Sequence, residues 1–352
     1  MPTDLMDMNL ADLMSMKVDR RSPDADAELS WVDPSRFHLA YRYVRFTFDG
    51  YRDGTDNVSD DDLIGPPNGV TYPILQDKIV QQAHTFAAAY DITRRASAHL
   101  MIPYIRQMTE HHGIAGGPDF GKFTIESDGI GDISLIGSFR ALDIDRHSLV
   151  ANAGLSFPSG SITKKGDTPM PGKRNQLPYT MQLGSGSYDV ILSAGYQGSS
   201  ASLGSTKVAM LGSIGWGAQI LGKIRTGKND RGYRLGHRLL ISTWLSAQPF
   251  TWLEPFLKLD TQIWGRIRGN DDDFPGPTFP TPVADPDNFG GEKLALTGGV
   301  TLRPPKLPEG RFYQALSRQA VTIEYGQPVY ESLNGPQPRE RWRLSIDWSI
   351  GF

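Results

Sequence analysis

The chain has 352 residues, with 36 Lys and Arg against 39 Asp and Glu and a formal net charge of -3, so neither sign dominates and a nucleic-acid-binding surface is not expected. No apolar stretch approaches the ~20 residues of a membrane-crossing helix, and the lack of cysteine excludes disulfide frameworks, zinc ribbons and thiol chemistry. With 38 Gly, 25 Pro and little helical periodicity, the composition points to an all-β protein.

In chain order, residues 1–35 come first as an amphipathic or flexible segment, and residues 36–352 form the strand-rich remainder. The start lacks a charged region followed by an apolar core and a small-residue cleavage site, so the expectation is an exported protein whose signal peptide is absent from this chain. Leu5, Met6, Met8, Leu10, Leu13, Met14 and Met16 run through Asp-rich sequence, and Leu10, Leu13 and Met14 share a helical face. Asp4 to Met14 resembles the lead-in of TonB-dependent receptors, but their plug domain does not follow, which speaks against energised transport. Three readings stand for this segment: a periplasmic helix or tail beside a pore, a plug entering the lumen, or thioethers (Met6, Met8, Met14, Met16) as soft ligands for copper(I). Spaced methionines more often simply pack.

Twelve segments with period-2 alternation follow, near 36–49, 78–92, 96–109, 130–143, 147–158, 185–198, 205–226, 233–248, 251–267, 292–303, 318–329 and 340–352. The connections alternate between tight ones, such as Thr93 to Arg95 and Ile144 to Arg146, and longer ones rich in breakers, such as Tyr51 to Asp77, Ser159 to Gly184, Arg268 to Gly291 and Tyr330 to Arg339. Sorting of this kind is what a bacterial outer-membrane barrel requires, with short periplasmic turns and long external loops. The fold expected is a twelve-stranded antiparallel transmembrane barrel with a short N-terminal periplasmic or luminal segment. Its seventh segment sets Trp216, Ala218, Ile220, Gly222 and Ile224 against Gly217, Gln219, Leu221, Lys223 and Arg225, and the second set faces a lumen. Tyr90, Tyr104, Tyr188, Tyr196, Trp252, Trp264 and Trp348 suit interfacial girdles. At the C-terminus, Trp342, Leu344, Ile346, Trp348, Ile350 and Phe352 alternate with polar residues. Trp348, Ile350 and Phe352 resemble the terminal signal read by the barrel assembly machinery. Lipid and lipopolysaccharide are the expected surroundings.

Six blocks, YRYVRFTFDGYRDGTDNVS (41–59), ESDGIGDISL (126–135), AGLSFPSGSI (153–162), LPYTMQLGSGSYDVILSAGY (177–196), NDRGYRLG (229–236) and QPVYESLNGPQ (327–337), resemble a family of Gram-negative outer-membrane transporters labelled for a MetA pathway of phenol degradation. The resemblance implies an outer-membrane barrel and a role in moving aromatic compounds.

Candidate chemistry is sparse. Glycine loops lie in strand-like sequence with no helix after them, so no phosphate cradle is expected. His111-His112 lacks the spacing of a metal site. Ser97-Ala98-His99 and His147-Ser148 place serine near histidine without a recognisable third member, so catalysis is not expected. Acidic loops bearing Asp53, Asp56, Asp271, Asp272 and Asp273 are weak candidates for calcium, since hard oxygen ligands crowd there. The lumen is the richer feature. Lys223, Arg225, Arg238, Glu254, Lys258, Asp260, Arg266, Glu324, Arg343 and Asp347, with Arg42, Asp132, Arg140, Asp189 and Lys293, supply inward charges of both signs. Such a lining sets selectivity in a water path or fills a narrow barrel structurally. The expected function is an outer-membrane channel or passive transporter for small, hydrophobic or aromatic solutes. The alternative is a non-conducting barrel whose loops anchor a periplasmic or surface protein.

Overall fold

A computed structural model describes residues 36–64, 72–113, 121–169, 172, 174–201, 209–304 and 318–351. The N-terminal methionines and Phe352 lie outside them.

The strands in chain order are β1 (Phe37–Gly54), β2 (Asp56–Val58), β3 (Ile74–Asp91), β4 (Ala96–Gly113), β5 (Lys122–Ile130), β6 (Ile133–Ile144), β7 (His147–Phe157), β8 (Lys165–Gly166), β9 (Asn175–Gln176), β10 (Asp189–Ser199), β11 (Ser213–Arg225), β12 (Arg238–Gln248), β13 (Leu253–Trp264), β14 (Gly291–Leu302) and β15 (Gln319–Gly351). Eleven of them form a closed antiparallel ring, β1-β3-β4-β6-β7-β10-β11-β12-β13-β14-β15, sealed where β15 returns to β1. Two more, β2 and β5, extend the sheet at its outer end, and β8 and β9 form a separate two-stranded hairpin. Closure leaves no open sheet edge, so the ladder donors and acceptors of the ring pair within the protein instead of meeting lipid.

The segment 330–339, expected as a loop, is strand. β15 runs through it as one strand of 33 residues; Val321 to Leu333 pair with β14, and Leu333 to Gly351 pair with β1. The bend falls near Gly335, whose φ of +70° suits glycine and whose added Cβ would lie 2.4 Å from Asn288 Oδ1. Its two halves touch across the bend: Ser345 donates to Glu324 at 3.0 Å and Trp348 donates to Gln319 at 2.9 Å. Gly335-Pro336-Gln337-Pro338 carries turn-forming composition, which is why sequence patterning breaks the strand there.

Period-2 alternation sorts side chains by solvent. Leu39, Phe86, Leu135, Leu192, Ile220, Leu245, Leu257, Leu296 and Ile346 are exposed large apolar groups, on nine different strands. An apolar exterior spread around a ring is the outside of a membrane barrel, where lipid replaces water. Among the described residues no helix is long and apolar enough to cross a membrane. Tyr104, Tyr188 and Trp252 are exposed as expected of a girdle, but Trp264 is buried in the lumen. It shares parity with Lys258, Asp260 and Gln262 on β13, a constraint that its position at a strand end obscures.

A close approach holds the start of β11. Gly212 has a φ of +65°, and a Cβ there would lie 1.8 Å from the Gln248 carbonyl oxygen. Left-handed backbone strain alone costs about 1–3 kcal/mol, and the clash adds to it. Gly212→Ala is expected to lower the folded fraction after refolding into detergent, measured by the electrophoretic mobility of the unheated barrel; unchanged yield would contradict this geometry.

Candidate solute pathway

Inward positions of β1, β13 and β15 assemble an ion ladder. Arg42 reaches Asp347 at 3.0 Å and Glu324 at 3.3 Å; Lys258 reaches Glu324 at 3.1 Å and Asp260 at 3.9 Å; Arg343 reaches Asp260 at 2.7 Å. Three cations thus share three carboxylates. Hydroxyls complete the cluster, since Ser242 donates to Asp260 at 2.6 Å and Ser345 donates to Glu324. Nearer the outside, Lys293 pairs with Glu340, while Arg225 and, at 3.6 Å, Lys223 both meet Asp189. Arg238 and Lys293 each lie 5.8 Å from the ring centre of Trp264, so the misassigned tryptophan is flanked by two cations. Glu254 pairs with Arg303 at 2.8 Å toward the periplasmic end. Nine of the ten sequence candidates therefore lie on the inner face. Arg266 does not: it follows β13, is exposed, and sits at the outer rim, because the strand ends two residues before it. Of the further candidates, Arg140 pairs with Asp143 at 2.6 Å near the periplasmic turn.

Facing this ladder is an apolar layer that sequence reading missed. Val44, Phe46 and Phe48 of β1 pack with Ile79, Ala83, Met101, Ile105, Ile136, Ile191, Leu221 and Leu240, all buried inside the ring. Phe46 and Phe48 stack at 6.2 Å. A signal existed, because Phe46 and Phe48 share the parity of luminal Arg42. It was hidden because both faces of β1 are mixed, His38 and Arg42 beside the phenylalanines on one and Arg45 and Thr47 beside tyrosines on the other, so neither side stood out as luminal.

The layer also receives Leu183 from the long connection between β7 and β10. Far from being wholly external, this connection turns inward over residues 177–187. Gln107 donates to the Gln182 carbonyl at 3.1 Å, and Ser127 to the Met181 carbonyl at 2.7 Å. Asp132 accepts from the backbone N–H of Gly160 at 2.9 Å and of Ser185 at 2.8 Å, and from the Ser185 hydroxyl at 2.7 Å. Three charge-assisted bonds to one buried carboxylate fix the loop against the wall. Further out, Tyr179, Tyr233 and Phe289 form an aromatic cluster joining three loops. Burial pushes the Tyr179 hydroxyl up to about 12, so it stays protonated, and its oxygen accepts from the Asp271 N–H at 2.9 Å.

Cavities lie on either side of the apolar layer. The outer one, about 430 Å³, is lined by residues at the external strand ends, including Ile74, His111 and Ile125. The inner one, about 120 Å³, is lined by Arg42, Gln197, Ser246, Glu254 and Arg303 toward the periplasmic ends. On β1 the layer residues lie outward of Arg42, which lines the inner cavity, and on β3 and β4 they lie inward of Ile74 and His111, which line the outer one.

The acidic loops are engaged by arginine. Arg231 binds Asp271 and, at 2.7 Å, Asp273. Hydrogen bonding to Asp271 holds its guanidinium above the ordinary range. Asp53 and Asp56 are exposed across the β1–β2 turn, and Ser59 and Asp62 form a capping box on a five-residue helix, Asp60–Ile64. Among the described residues no three metal-ligating side chains converge. Arg231→Ala leaves the buried Asp271 without its main cation. Cleavage of the loops after β11 and β13 by proteinase K in the folded, detergent-solubilised protein is expected to rise; an unchanged digestion pattern would show that the pair does not hold these loops.

No family model and no curated protein matches the chain. Among solved structures, an outer membrane channel from Pseudomonas putida F1 superposes with a TM-score of 0.53 at 13% identity, covering 94% of this chain and 100% of its own. The fold is that of an outer-membrane β-barrel. The transport unit of the autotransporter AIDA-I from Escherichia coli (TM-score 0.47, 9% identity, 99% and 96% coverage) and a deltaS2S3 mutant of the TodX monoaromatic hydrocarbon channel (0.39, 9%, 90% and 90%) are more distant and say nothing further about this chain. These neighbours are channels and transport units, not enzymes.

Proposed function

We propose that the protein is an outer-membrane channel that passes small hydrophobic or aromatic solutes through a restricted lumen, without covalent chemistry. The observation that carries this reading is an apolar layer inside a closed ring, with one cavity among the external strand ends and loops and another toward the periplasmic ends. A structural core alone would not require two chambers. The apolar layer disfavours hydrated ions, since a dewetted constriction gates by excluding water, while hydrocarbon surface meets Phe46, Phe48 and Leu183. The sequence blocks that resemble a phenol-degradation transporter family support aromatic solutes.

The wall count bears on the bore. Neighbours in an all-antiparallel ring alternate in direction, so the number of passes must be even. Eleven strands satisfy this if β15, bent near Gly335, makes two passes, giving twelve. Such a ring is narrower than the 16- to 18-stranded porins with open aqueous channels. Residues 1–35 are proposed to enter or border the periplasmic mouth, and Trp348 and Ile350 at the end of β15 to serve recognition during membrane assembly.

Planar-bilayer conductance together with solute-driven swelling of liposomes, with and without residues 1–30, tests the function. Solute entry in either form is expected, with a larger current after truncation if the segment plugs the pore. Neither current nor swelling in both forms would remove the channel.

A further inference from the structure

We propose that the outer cavity is a recognition site for amphipathic monoanions, with aromatic carboxylates as the type ligand. The proposal rests on the channel reading above and names its solute class.

The size fits first. About 430 Å³ falls within the range of small-molecule sites, roughly 300–1,000 Å³. Its wall is built for a flat apolar body: Phe123, Ile125 and Phe274 line it, and His111 stacks against Phe123 at 4.8 Å with planes 6° apart. His111 is itself buried, and burial of an aromatic ligand against such a surface is favourable through both area and ring geometry.

Charge then selects among apolar bodies. Lys165 on β8 and Arg174 beside β9 line the same cavity, on one hairpin. Neither makes an ion pair among the described residues; Arg174 donates only to the Lys165 carbonyl, at 3.1 Å. The carboxylate that also lines the cavity, Asp273, is engaged by Arg231. Two uncompensated cations over an aromatic wall favour a ligand with one hydrocarbon end and one anionic end. This contrasts with the lumen below, where the ladder cations are shared among carboxylates.

The test is equilibrium binding to the full-length, detergent-solubilised protein, by calorimetry, with benzoate and its neutral counterpart benzyl alcohol as probes. Two half-solvated charges support a preference for benzoate of about fivefold at low salt. Lys165→Gln combined with Arg174→Gln is expected to abolish that preference and leave benzyl alcohol binding unchanged, since both side chains are exposed and the barrel remains intact. Phe123→Ala is expected to weaken both probes together. Equal binding of the two probes to the unaltered protein, a preference that survives the double substitution, or indifference to Phe123→Ala would each overturn the site. Binding at equilibrium needs no transport. Binding with no current or swelling would therefore sink the channel and keep the site, and swelling without selective binding would do the reverse.

Discussion

Cutting back the apolar layer opens the path: Phe46→Ala with Leu183→Ala is expected to raise unitary conductance by about an order of magnitude, equivalent to removing about 1.4 kcal/mol from the barrier. Both side chains are fully or nearly fully buried between the two cavities, and one comes from the wall while the other comes from the inward loop. Their removal replaces hydrocarbon by room that water can enter next to the ladder carboxylates and cations. Stability falls as well, because large-to-small changes at packed sites typically cost about 2–5 kcal/mol each. The mobility of the unheated barrel is therefore measured beside the current. A folded double variant with unaltered conductance would show that the layer is not the constriction.

The second large effect concerns the ladder. Arg343→Met leaves Asp260 with its chief partner gone; both side chains are almost wholly buried, at 6% and 7% exposure. Breaking one member of such a pair is expected to cost about 3–5 kcal/mol, most of it the penalty of an uncompensated charge. Adding Asp260→Leu to the same chain removes that charge and is expected to restore most of the loss, although Ser242 then loses its acceptor. Urea unfolding from liposomes reads both variants. If the double substitution were as unstable as the sum of the two single ones, the ladder would be acting through packing and not through charge compensation.

The closed sheet and its inner charges were legible because alternation is a local property. Lys223 and Arg225 on β11 and Lys258 and Asp260 on β13 each sit opposite apolar neighbours, and a two-residue period suffices to place them. Three features needed non-local information. Phe46 and Phe48 share a strand whose two faces both mix polar with apolar residues. Trp264 lies at a strand end, where aromatic residues suit either the lumen or the membrane interface. The connection between β7 and β10 carries the composition of a surface loop, yet Gln107 on β4, Ser127 on β5 and Asp132 between β5 and β6 bond residues 160, 181, 182 and 185 of it to the wall. No spacing within the loop announces those partners. The strand through 330–339 was lost for the opposite reason, since Gly335 and its flanking prolines signal a turn locally while β14 and β1 continue the ladder on either side.

At the level of the apolar layer the inner wall is hydrocarbon on β1 through β12 and faces the ionic ladder of β13, β15 and Arg42 of β1, which has a consequence for any molecule that travels past it. The passage works as a pair of unlike rails, so a traveller keeps one edge on each and loses its freedom to tumble. Molecules with two chemically distinct edges are guided, and those with a uniform surface, whether wholly greasy or wholly hydrated, find one rail unfavourable at that level.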